Sequence, residues 1–183
     1  MTEYVFTLKY HLPPGVQDMA LLLERLGEAG CDDALAGIGV TGRLALEFAR
    51  EAVGAEEAVR SAMSDVAGAV PEAVLIEVSP DLVGLSDVAD IVGVSRQAMR
   101  KMMLAHATDF PVPVHEGSVT LWHLADILSW LQARPTCQVD DDMRQLACVA
   151  QQINLEKAWE RIAPLASMRP GQRARDAACL AER

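Results

Sequence analysis

Positive charge is scarce in this chain: 16 Lys and Arg stand against 26 Asp and Glu, for a net charge of −10 and a pI near 4.8. That balance excludes a protein held to polyanions by bulk attraction, because the phosphate backbone rewards clustered cations. Aromatic residues make up only 4%. Tyr4, Phe6 and Phe48 therefore read as core or sheet-face packing, since an RNA-stacking sheet needs a Gly- and aromatic-rich signature that this acidic segment lacks. The four cysteines, Cys31, Cys137, Cys148 and Cys179, form no CxxC pair and have no histidine pattern beside them. Neither a zinc site nor a disulfide framework is expected from such spacing. Apolar runs such as Met19–Leu23 and Ala73–Ile76 are far shorter than a membrane span. The N-terminal MTEYVFTLKY has no basic start followed by an apolar stretch, so a cytoplasmic location is the expectation.

Catalytic constellations are also missing. His11, His106, His115 and His123 are scattered, with no nucleophile elbow beside them. Gly37, Gly39 and Gly42 lack the Lys-Ser/Thr ending of a phosphate loop and read better as a hairpin. Glu47, Glu51, Glu56 and Glu57 solvate a strand end and a helix start, where acids favour the positive end of the dipole. No enzyme and no cofactor is expected.

What is present is 51% hydrophobic residues in a chain of 183, enough for one or two cores. Acid concentrates at the N-terminal end: residues 1–80 carry 13 acids and 5 bases, residues 81–134 carry 6 and 4, and residues 135–183 carry 7 and 7. Within residues 1–80, Tyr4–Tyr10 alternates as a strand and Val16–Ala29 has helical apolar spacing at Met19, Leu22, Leu23 and Leu26. Ala34–Gly39 and Arg43–Arg50 read as a hairpin, Ala55–Ala69 as a second helix and Ala73–Val78 as a last strand. The order βαββαβ is that of a ferredoxin-like domain with two helices on one face of an antiparallel sheet. Its acidity suits a ligand or a protein partner.

The most informative stretch is Leu85–Trp130. Ser86 is placed to cap a short helix bearing Val88, Ala89, Ile91 and Val92, Gly93 to take a positive φ in a tight turn, and Ser95 to cap a second helix to Ala105. That is a helix-turn-helix. The second helix offers Arg96, Gln97, Arg100 and Lys101 outward, with Ala98, Met99 and Met102 turned inward. Arg can bridge guanine O6 and N7, Gln can pair with adenine, and Lys can reach phosphate. Phe110–Val114 and Val119–Trp122 read as two short strands joined at His115-Glu-Gly-Ser118, and a helix from Trp122 follows, with Leu124, Ile127, Leu128 and Leu131 closing a small core.

The segments LSDVADIVGVSRQAMRKM, DFPVPV and LWHLADILSWL resemble, over about residues 81–133, the MerR, excisionase and AlpA-like winged helix-turn-helix families. The resemblance implies that the helix from Ser95 enters a major groove of double-stranded DNA, through Arg96, Gln97, Arg100 and Lys101, while the wing touches backbone through His115, with Ser118 as the substitute donor. His106, at the end of that helix, is a further phosphate candidate. The wing departs from the family pattern, having neither Arg nor Lys. Residues 135–183 open with Asp140–Asp142 at a helix start, followed by an apolar stripe of Met143, Leu146, Val149, Ala150, Ile153, Ala158 and Ile162 that either packs on its own chain or pairs with a second copy as a homodimer. The tail carries Arg169, Arg173, Arg175 and Arg183, a further source of DNA contacts. The expectation is an α+β chain with three parts, 1–80, 81–134 and 135–183, acting as a sequence-specific transcriptional regulator. The alternative is a protein-interaction module, an antitoxin, immunity or adaptor protein, working through its acidic N-terminal domain.

Overall fold

The computed structural model describes residues 1–14, 18–37, 39–134 and 139–167, with side chains as far as residue 163. The fold is mixed α+β, with antiparallel sheets and six helices among the described residues. Two compact units divide the chain, Met1–Gln151 and Gln152–Arg183, and the last helix contributes to both.

Strand β1 (Thr2–His11) alternates Tyr4, Phe6, Leu8 and Tyr10 inward, and β3 (Arg43–Ala52) does the same with Leu44, Leu46, Phe48 and Arg50. Period-2 alternation places each set on one face. The two strands pair antiparallel over their whole length, with Phe6 opposite Phe48 and the rings stacked at 5.4 Å. The short β2 (Ala34–Gly37) flanks β3, and β4 (Val74–Ser79) flanks β1, giving the order β2-β3-β1-β4. β4 is bulged, since register shifts between Lys9 and Tyr10. The turn between β2 and β3 closes with Arg43 N–H donating to Val40 O at 2.9 Å, and Gly42 supplies a φ of 75°.

Two helices complete this half. In α1 (Met19–Glu28) the Asp18 carboxylate accepts from the N–H groups of Ala20 and Leu21. Leu22 and Leu26 are buried as the spacing predicts, whereas Leu23 faces solvent. α2 (Ala55–Ala69) buries Ala58, Val59, Ala62 and Val66, packing on β1 and β3 and against α1. Small residues on that stripe let the helix approach the sheet closely. Glu57 accepts from Val53 N–H and Glu56 pairs with Arg60, so the acids at this helix start are engaged in capping and solvation.

The second half is built on β5 (Leu82–Val83), α3 (Leu85–Ile91), α4 (Arg96–Ala105), β6 (His115–Glu116), β7 (Thr120–His123) and α5 (Leu124–Gln132). β5, β7 and β6 form a three-stranded antiparallel sheet. Val88, Ala89, Met99, Trp122, Leu124, Ile127, Leu128 and Leu131 make its core, joined by Ala147 from α6 (Asp141–Ser167). The start of α5 is held twice by Asp81: its backbone carbonyl accepts from Leu124 N–H at 2.7 Å, and its carboxylate lies 2.6 Å from His123 Nδ1.

Several sequence expectations need correction here. Gly84, and not Ser86, caps α3, because the Asp87 carboxylate reaches back to accept from Gly84 N–H at 2.8 Å. Ala98 is exposed, and the inward residues of α4 are Met99 with Met102 and Met103 beside it. Phe110–Pro113 is not a strand. Pro111 and Pro113 lack the N–H a ladder needs, and Trp122 Nε1 takes the Pro111 carbonyl at 3.1 Å. The hairpin strand is instead His115–Glu116, inside what the sequence suggested was the turn. Trp122 belongs to β7, and α5 begins at Leu124. β5 was not foreseen, being only two residues long. In α6, Leu146, Ala147, Ala150 and Ile153 are buried, while Ile162 of the expected stripe is exposed.

Candidate nucleic-acid interface

α3 ends at Ile91 with Val92 as its C-cap, Gly93 takes a φ of 70°, and Val94 N–H donates to Ala89 O at 2.9 Å, so the chain reverses within three residues. A Cβ at Gly93 would meet no atom, but a side chain rarely adopts that backbone angle. Ser95 then caps α4 as expected: its Oγ accepts from Ala98 N–H at 3.1 Å. Burial of Met99 fixes the rotation of α4. With Met99 pointing into the core, Arg96, Gln97, Arg100 and Lys101 are all exposed.

These four residues come together on the outer surface of one helix, as the sequence predicts. Gln97, Arg100, Lys101, Leu104 and Ala105 line a shallow hollow on it. Among them Leu104 was not singled out from the sequence, though its i+3 and i+4 spacing from Lys101 and Arg100 was available to find it. It is 61% exposed.

The remaining predicted site residues lie elsewhere. His115 and Ser118 are exposed on the β6–β7 hairpin, with the His115 ring folded over Gly117, where an added Cβ would come within 2.7 Å of Nε2. Beside His115 stands Glu116, also exposed, so the hairpin presents no Lys or Arg. His106 is the C-cap of α4, its ring edge-on to Trp130 at 5.6 Å and its Nδ1 3.7 Å from the Asp109 carboxylate. That places it in an aromatic group with Trp130, apart from the outer face of α4. Phe110 stands edge-on to both Trp122 and Trp130, and the Arg134 guanidinium lies 3.3 Å above the Trp130 ring while pairing with Asp109. This group locks the segment after α4 onto α5. It holds the hairpin root and α4 in fixed relation.

A second groove runs between the end of α4 and the hairpin, lined by Met103, Leu104, Phe110, Val112 and Trp122 among others, with Val112 83% exposed. The arginines of the tail, Arg169, Arg173, Arg175 and Arg183, fall outside the described residues, as do Cys137 and Cys179. Cys31 and Cys148 are free thiols. Among the described residues no three His, Cys, Asp or Glu side chains converge as a metal site, and no helix is long and apolar enough to cross a membrane.

Compared with protein-family models, with curated proteins and with solved structures, the chain finds no match in any of the three.

Proposed function

We propose that this chain is a sequence-specific DNA-binding transcriptional regulator of the cytoplasm. In this reading residues 81–134 act as a winged helix-turn-helix similar to the MerR, excisionase and AlpA-like families, residues 1–80 as a ferredoxin-like domain for a ligand or protein partner, and α6 as support for a homodimer. The observation that carries the reading is α4 itself: a capped helix after a glycine turn, rotated by buried Met99 so that Arg96, Gln97, Arg100 and Lys101 share its free surface. Arg100 and Gln97 supply bidentate donors and acceptors for guanine and adenine edges, and Lys101 and Arg96 supply phosphate contacts. His115 and Ser118 add hydrogen bonds from the hairpin, which carries neither Lys nor Arg.

The test is selection of bound sequences from a random duplex pool by purified protein at about 100 mM salt, since salt sets the nonspecific background. An enriched motif, in inverted repeat if the protein is a homodimer, is the expected outcome. Arg96→Glu with Arg100→Glu abolishes the enrichment while leaving thermal unfolding unchanged, because both side chains are exposed. Absence of enrichment at any salt sinks the reading. One observation favours the alternative, an antitoxin, immunity or adaptor role: on the outward face of the sheet Glu3, Glu47 and Glu51 surround exposed Val5 and Ala49, a surface suited to a basic protein. Under that alternative the double charge reversal leaves function intact.

A further inference from the structure

Resting on the DNA-binding reading, we infer that Leu104 is a base-reading residue of α4, and that it recognises the C5-methyl group of a thymine in the major groove. Three observations converge on it. With Met99 inward, the residues furthest from the core at 3.6 per turn are Gln97, Lys101 and Leu104. Leu104 is 61% exposed there, between the cations Arg100 and Lys101 on one side and the apolar groove of Met103, Phe110 and Val112 on the other. The last turn of α4 contains no basic residue, although that is where the helix dipole favours one. At 61% exposed, Leu104 adds little to the core. A groove-facing methyl accounts for an apolar side chain here, because thymine is the one base that presents an apolar group there, beside the polar atoms that Gln97 and Arg100 match.

The geometry also sets a spacing. Leu104 lies seven positions after Gln97, about 10 Å of helix, which covers about three base steps at about 3.4 Å each. A helix lying along the groove therefore reads its thymine about three base pairs from the adenine that Gln97 contacts.

The experiment uses the full chain and the duplex enriched from the random pool, with each thymine replaced in turn by deoxyuridine, which differs only by the missing methyl. The expected result is one position where affinity falls about fourfold, the ratio that corresponds to ~0.8 kcal/mol for one buried methyl. In Leu104→Ser the thymine and deoxyuridine duplexes bind equally, and its melting temperature stays at the wild-type value because the replaced side chain is exposed. A duplex bound tightly but indifferent to deoxyuridine at every position overturns the assignment of Leu104 and leaves DNA binding standing. Persistence of the fourfold difference in Leu104→Ser overturns it also, moving the methyl contact to another residue. Failure to bind any duplex overturns both readings together.

Discussion

Arg50 is the residue on which the N-terminal half turns. It sits at an inward position of β3, where an apolar side chain would be expected, and its guanidinium is fully used: Nε and Nη2 grip the Asp33 carboxylate at 2.7 and 2.9 Å, Nη1 takes Asp65 at 2.7 Å and Ser61 Oγ at 3.2 Å, and Nη2 also reaches the Gly30 carbonyl at 2.8 Å. The bidentate fork is the geometry that Arg supplies and Lys does not. One side chain thereby ties the loop after α1 to β3 and α2. Asp33 and Asp65 hold its proton well above the already high arginine range, with burial opposing them. The same surroundings push the Cys31 thiol up to about 11, burial first and Asp65 next, so Cys31 is a packed, unreactive thiol. Arg50→Ala leaves two carboxylates facing each other. It should cost about 3 kcal/mol, the low end for a broken buried pair because both carboxylates keep some solvent access, read as a lower urea midpoint with an unchanged slope. A loss below ~1 kcal/mol would mean the network is no better than a surface pair.

Elements were legible in the sequence where a single period ruled them. The alternation of Tyr4, Phe6, Leu8 and Tyr10 and the apolar stripe of α2 could be read directly, and Gly93 and Ser95 announced their turn and cap by residue type. The pieces that escaped depend on partners distant in the chain. β5 exists because Leu82 and Val83 find His123 and Trp122 across the fold. Phe110–Pro113 packs by aromatic contact with α5 and lies outside the ladder. Arg50 looked like any strand residue because Asp33 and Asp65 come from a loop and a helix. Of the candidate site, the four polar residues of α4 were readable from spacing, whereas the outward place of Leu104 needed the rotation set by Met99. In α6, Leu155, Trp159 and Ile162 recur at i, i+4 and i+7 and are 53%, 62% and 45% exposed. A homodimer built on this stripe predicts that Trp159→Lys gives a monomer by analytical ultracentrifugation, with retained helicity. A variant that keeps the wild-type mass places the dimer contact elsewhere.

At the scale of the whole molecule, charge sets the terms on which the proposed DNA binding would work. With a net charge of −10 the protein gains no long-range attraction, and the cations of α4 are Arg96, Arg100 and Lys101, all three exposed. If Arg96 and Lys101 of each of two copies neutralise phosphate, log affinity should fall with log salt at a slope of about −4. Fluorescence anisotropy between about 50 and 200 mM salt measures it. A slope steeper than about −8 would bring in further cations, such as the tail arginines. The topology carries a separate consequence, for the order in which the chain can mature. β1 is made before the strands that flank it, and it lies inside the sheet between β3 on one side and β4 on the other. At about 5–20 residues per second, several seconds pass between synthesis of His11 and of Ser79. Through that interval Tyr4, Phe6, Leu8 and Tyr10 have no completed sheet to shelter them, so β1 depends on protection at the ribosome until β3 and β4 have been made.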